Sequence, residues 1–83
     1  MSISLFDFRD AVNRTPRYLA EEIVWWLRTH PKQGWSETEL WMYLGFKDIQ
    51  ESLSGILELV SQNRVDILKR NGYLFVRLKS YKI

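Results

Sequence analysis

His30 is the single histidine of the chain, and there is no cysteine. Disulfides, thiolate zinc sites and cysteine nucleophiles are therefore excluded. One histidine rules out a multi-histidine metal centre and a catalytic histidine pair. His30 stands before Pro31 at what the pattern makes a helix end, where a histidine serves the helix dipole. The carboxylates Glu21 and Glu22 are adjacent, and Glu37 and Glu39 are two apart, so neither pair shares a helix face. No glycine-rich phosphate loop occurs. With no base and nucleophile to pair, the chain is expected not to be an enzyme and to need no cofactor or metal.

The chemistry left is recognition by charge and by apolar contact. The formal net charge is +2, but it is unevenly spread. Residues 35–63 carry Lys47 against Glu37, Glu39, Asp48, Glu51 and Glu58. Residues 64–83 carry Arg64, Lys69, Arg70, Arg77, Lys79 and Lys82 against Asp66 alone. Lys69 and Arg70 flank Asn71-Gly72, with Arg77, Lys79 and Lys82 behind them. A basic tip of this kind reaches phosphates or a minor groove. Arg14 and Arg17 extend the basic set from the other end of the chain.

The elements that must position these groups follow from pattern. At 83 residues, 46% hydrophobic and 27% charged, the chain is one globular domain. Leu5, Phe8 and Val12 share a helical face, which predicts a short helix over 5–13 within an N-terminal arm of residues 1–14. The domain proper is expected over 15–83. Thr15-Pro16 starts a helix, with Thr as N-cap and Pro in the first turn. Its apolar stripe is Leu19, Ile23, Trp26 and Leu27, flanked by Ala20 and Val24. It stops at His30-Pro31.

Ser36 and Glu39 form a capping box, with Trp35 and Leu40 at the staple positions. Gly45 is the left-handed stop of that short helix. Asp48 and Glu51 form a second box. The stripe Ile49, Leu53, Ile56, Leu57 and Val60 then predicts a third helix to about Gln62. From Val65 the period changes to two. Asn71-Gly72 is the strongest short hairpin signal and sets the register. Arg70 pairs with Tyr73, Leu68 with Phe75, Ile67 with Val76, Asp66 with Arg77 and Val65 with Leu78. One face is then Val65, Ile67, Leu74, Val76 and Leu78. The other carries Leu68, Tyr73 and Phe75.

Three helices, the middle two joined by the tight Leu44-Gly45-Phe46 turn, and a C-terminal hairpin make an α+β domain. Its order resembles the winged helix-turn-helix superfamily over roughly residues 15–79. The residues carrying the resemblance are Ser36-Glu37-Thr38-Glu39-Leu40, Leu44-Gly45-Phe46, Ile49, Leu53, Leu57 and the 65–78 hairpin. Gly34-Trp35 matches the family's minimal first strand. The resemblance implies that the helix after the turn lies in a DNA major groove.

Opposite its apolar stripe, that helix presents Glu51, Ser54, Gly55, Glu58 and Gln62, with Gln50 and Ser61 on the shoulder. None is a cation, and phosphate neutralisation supplies most of the affinity for a duplex. The expected contact set is therefore led by the wing: Lys69, Arg70, Asn71, Arg77 and Lys79. Arg14, Arg17, Lys47, Gln50 and Ser54 assist. The reading is a small DNA-binding regulator of transcription or replication. A protein-interaction module on the same scaffold is the alternative.

Tyr18 and Trp25, seven apart, face away from the stripe of their helix. Leu5 and Phe8 are the candidate cover, from the same chain or a neighbour. With Leu68, Tyr73 and Phe75 on the hairpin, this gives a second apolar surface and an expected homodimer. Gly55 inside a helix costs about 1 kcal/mol relative to alanine. It suits either a close helix crossing or a partner. No apolar run approaches a membrane span, and Met1 to Asp10 lacks a signal-peptide pattern, so a cytoplasmic location is expected.

Overall fold

A computed structural model describes residues 15–31 and 33–79. The first helix, α1 (Pro16–Thr29), begins where Thr15 Oγ1 accepts the Tyr18 N–H at 3.2 Å. A two-residue strand, β1 (Trp35–Ser36), leads into α2 (Glu37–Leu44). Ser36 and Glu39 exchange both bonds of a capping box there. Gly45 ends α2 in the left-handed region at φ 67°. After a short turn comes α3 (Ile49–Ser61), then β2 (Val65–Arg70) and β3 (Tyr73–Leu78).

Asp48 Oδ1 caps α3 by accepting the Glu51 N–H at 3.1 Å. The reciprocal half of the expected box is displaced by one residue. The Glu51 carboxylate accepts from the N–H of Lys47 at 2.6 Å, not from that of Asp48.

The described residues thus hold three helices and one antiparallel sheet in the order β1-β3-β2. This is an α+β arrangement compatible with a winged-helix-like topology. Asn71 and Gly72 both take positive φ, 54° and 81°, as a two-residue primed turn requires. The turn fixes the register, and all five expected β2–β3 pairs form. Trp35 and Ser36 pair with Val76 and Phe75 on the other side of β3.

The core lies between α1, α2, α3 and the inner face of the sheet. Leu19, Ile23, Leu40, Ile56, Leu59 and Val76 are its most buried large side chains. Two expectations fail here. In α3 the buried residues are Ser52, Gly55, Ile56 and Leu59, not the stripe through Leu57 and Val60. The reason is Gly55. A Cβ built on it would lie 3.1 Å from the Leu19 carbonyl carbon and 2.6 Å from Ile23 Cδ1. With no side chain at Gly55, α3 closes onto α1 there, and this turns Leu57 and Val60 outward. On the hairpin, Ile67 is half exposed, because β2 is an edge strand whose far end projects past the core.

Two buried polar groups tie the layers together. Ser52 Oγ donates to the Glu37 carbonyl oxygen at 2.8 Å. Glu37, itself buried, accepts the Leu74 N–H on Oε2 at 2.8 Å. β1 ends after two residues, and the Glu37 carboxylate takes the place of its next carbonyl beside β3.

Candidate interaction surfaces

The first surface is the outward face of α3. Its N-cap and its close packing on α1 fix the helix rotation, leaving Gln50, Leu57, Val60 and Ser61 exposed. Leu57 is 63% exposed and Val60 38%. Ser54 and Glu58, half-buried, sit between them. Together with Pro16 at the start of α1, the residues Ser54, Leu57, Glu58 and Ser61 line a groove of about 340 Å³. Among the described residues, no cation lines that groove. Gln50 and Ser54 therefore do lie on the outward face of α3, as the sequence suggests. Gly55 does not; it faces α1.

The second surface is the hairpin. The basic residues of 64–79 do not act as one patch. Arg64 pairs with Glu21 at 2.8 Å, and Arg77 with Asp66 at 3.5 Å. Lys79 Nζ bonds Asn63 Oδ1. Lys69 and Arg70, both exposed, have no ion-pair partner among the described residues. Behind them Leu68, 53% exposed, and Tyr73 lie on the outer face of the sheet with Phe75. Arg17 and Lys47 are exposed on other elements. Arg14, Leu5, Phe8 and the expected 5–13 helix lie outside the described residues.

The third surface is aromatic. His30 stacks on Trp26 with centroids 3.8 Å apart. Tyr43 stacks near it at 5.4 Å, and Trp35 meets the Trp26 ring edge-on at 5.3 Å. Trp35 Nε1 donates to the His30 carbonyl at 3.0 Å. His30 is thus part of a ring cluster that joins the end of α1 to β1 and α2. The i, i+4 spacing of Trp26 and His30 carried that signal. Trp25 is exposed beside the cluster, and α2 adds exposed Trp41, Met42 and Tyr43. Tyr18 is not an exposed partner of Trp25. It packs half-buried on the core, and its hydroxyl donates to Glu22 Oε1 at 2.8 Å.

Among the described residues no group of three His, Cys, Asp or Glu gathers as for a metal ion. None of their helices is long and apolar enough to cross a membrane. No protein-family model matches the chain, and neither the curated proteins nor the solved structures searched contain a match.

Proposed function

We propose that this is a winged-helix domain that works as a protein-interaction module, gripping its partner with the outward face of α3. The observation that carries the reading is Leu57, 63% exposed on the wall of the groove with Pro16, Ser54, Glu58 and Ser61. In a winged helix this is the face that would enter a DNA groove. A duplex presents one negative charge per about 1.7 Å, and a face made of Leu57, Val60 and Glu58 offers it no neutralising group. The same face suits an apolar side chain seated against Leu57, with a cation beside Glu58. A few side chains seated in desolvated pockets, most often aromatic or arginine, carry most of the binding energy at such interfaces, so the anchor is expected on the partner and the pocket on α3. On α2, exposed Trp41, Met42 and Tyr43 give the domain a separate apolar surface of the sort that marks contact sites, which favours a protein partner without adding to the α3 face itself.

Duplex DNA is the second reading, favoured by one observation: Lys69 and Arg70 are exposed at the turn, with no ion-pair partner among the described residues. Two cations supply a phosphate contact but no sequence readout.

The test is a photoreactive residue in place of Leu57, activated in cells of the source organism. The same residue in place of exposed Arg28 is the control. The expected result is a discrete protein adduct from position 57 that survives nuclease treatment and is missing from position 28. An adduct to nucleic acid, or no adduct above the control, overturns the reading.

A further inference from the structure

Among the described residues, the sheet has one long open edge. In the order β1-β3-β2, β3 is central and β2 is terminal. The direction of its polar groups follows from one hydrogen bond. The Leu74 N–H donates to Glu37, so it points to the β1 side of β3. Its register partner across the hairpin is Lys69. Lys69 therefore exchanges no bonds with β3, and its N–H and C=O face outward. Backbone groups alternate along a strand, so those of Ile67 and Val65 face outward as well. No cap, turn or side-chain bond among the described residues reaches them. Natural sheets guard such edges with charge, proline or cover. Here Asp66, Lys69 and Arg70 supply charge of both signs, while Ile67 and Leu68, the middle of the strand, are 49% and 53% exposed.

We propose that the occupant is a second copy of the chain, paired antiparallel along β2 with Leu68 at the two-fold axis. A two-fold axis through an antiparallel pair stands perpendicular to the sheet, so it must pass through a residue pair of like facing. Only a centre at Ile67 or at Leu68 uses the middle of the strand. Centred on Leu68, the outward groups of Ile67 exchange bonds with the partner's Lys69. Leu68 meets the partner's Leu68 in a non-hydrogen-bonded pair, where side chains come closest. Asp66 stands opposite the partner's Arg70, and Arg70 opposite the partner's Asp66. Centred on Ile67, Asp66 would instead face the partner's Leu68 and no opposite charges would meet. Charge complementarity therefore selects the Leu68 register. Leu68 also pairs in register with Phe75, so each copy carries apolar surface on the outer face next to the axis. The inference goes beyond the α3 reading: it concerns the edge strand β2 and uses none of the α3 residues.

Sedimentation equilibrium tests it. The wild-type chain is expected at twice its 10.0 kDa mass. Asp66→Arg places a guanidinium opposite the partner's Arg70, and Arg70→Asp places a carboxylate opposite the partner's Asp66. Each variant alone is expected to dimerise at least about tenfold more weakly. Mixed in equal amounts, the two are expected to recover the dimer, because each contact across the interface is then between opposite charges, although Asp66→Arg also loses the ion pair with Arg77 of its own chain. Circular dichroism confirms that both variants fold. A wild-type monomer throughout the micromolar range, or a mixture no tighter than its components, overturns the proposal. Adducts from position 57 report on α3 alone, so the two proposals fail separately.

Discussion

Gly55→Val is expected to lower the stability of the domain by about 3 kcal/mol, the upper part of the range for overpacking a closed core. Even a single Cβ at this position meets the Leu19 backbone at 3.1 Å and Ile23 Cδ1 at 2.6 Å. The Ile23 methyl can turn aside only within a fully buried site, and the Leu19 backbone carbon moves only with its helix. Valine adds two further carbons to the same contact. Gly55→Ala is the sharper diagnostic. In an ordinary exposed helix it would stabilise by about 1 kcal/mol through helix propensity. Here the overpacking exceeds that gain, so alanine is also expected to destabilise. Thermal melting reads both changes, since 1 kcal/mol moves Tm by about 4–8 °C in a domain of this size. A raised Tm for Gly55→Ala would contradict the close crossing of α1 and α3, and with it the outward rotation of Leu57.

Glu37→Ala is expected to cost about 2–3 kcal/mol, because it leaves the Leu74 N–H beside β3 with no acceptor. A hydrogen bond to a charged group contributes about 1.5–3 kcal/mol, and the donor lost here is half-buried, so water replaces the carboxylate only in part. Glu37→Gln keeps a carbonyl oxygen at the 2.8 Å position and is expected to lose less than half as much. Urea unfolding gives the two values. Native-state hydrogen exchange adds a site-specific readout: the Leu74 amide should exchange markedly faster in the alanine variant and near the wild-type rate in the glutamine variant. Equal losses for the two would show that Glu37 acts through its aliphatic stem.

These two residues also mark where the sequence is legible and where it is not. The ends of α1 and α2 are readable because their signals are local: Thr15 with Pro16, Ser36 with Glu39, and Gly45. The β2–β3 register is readable because Asn71-Gly72 admits one turn geometry and the side-chain period of two carries it outward. The rotation of α3 is not. Its sequence supports two stripes, one through Leu53, Leu57 and Val60 and one through Ser52, Gly55 and Leu59. Hydrophobicity favours the first, while the closeness of α1 selects the second. The oddness of Gly55 is visible, but its partner Leu19 lies 36 positions earlier in the chain, outside any local pattern.

Glu37 carries no local signal beyond being an acid in the first turn of its helix. Its burial depends on β1 stopping after two residues, which no motif announces. The same holds for the candidate site. The exposure of Lys69 and Arg70 beside the tip follows from the turn. That Arg64, Arg77 and Lys79 are engaged by Glu21, Asp66 and Asn63 follows only from the packing of distant segments.

The central claim is that the outward face of α3 meets protein and not DNA. Fluorescence anisotropy of labelled random-sequence duplex, titrated with the wild-type chain at several salt concentrations, tests it most directly. At about 0.15 M salt no binding is expected up to roughly 10 µM protein, the range where non-specific duplex binding by basic proteins sets in. Any binding at lower salt should vanish in the Lys69→Ala, Arg70→Ala double variant and be unchanged by Gln50→Ala or Ser54→Ala. Tight binding at about 0.15 M salt that is weakened tenfold by Gln50→Ala or Ser54→Ala would place α3 in a DNA groove and contradict the account.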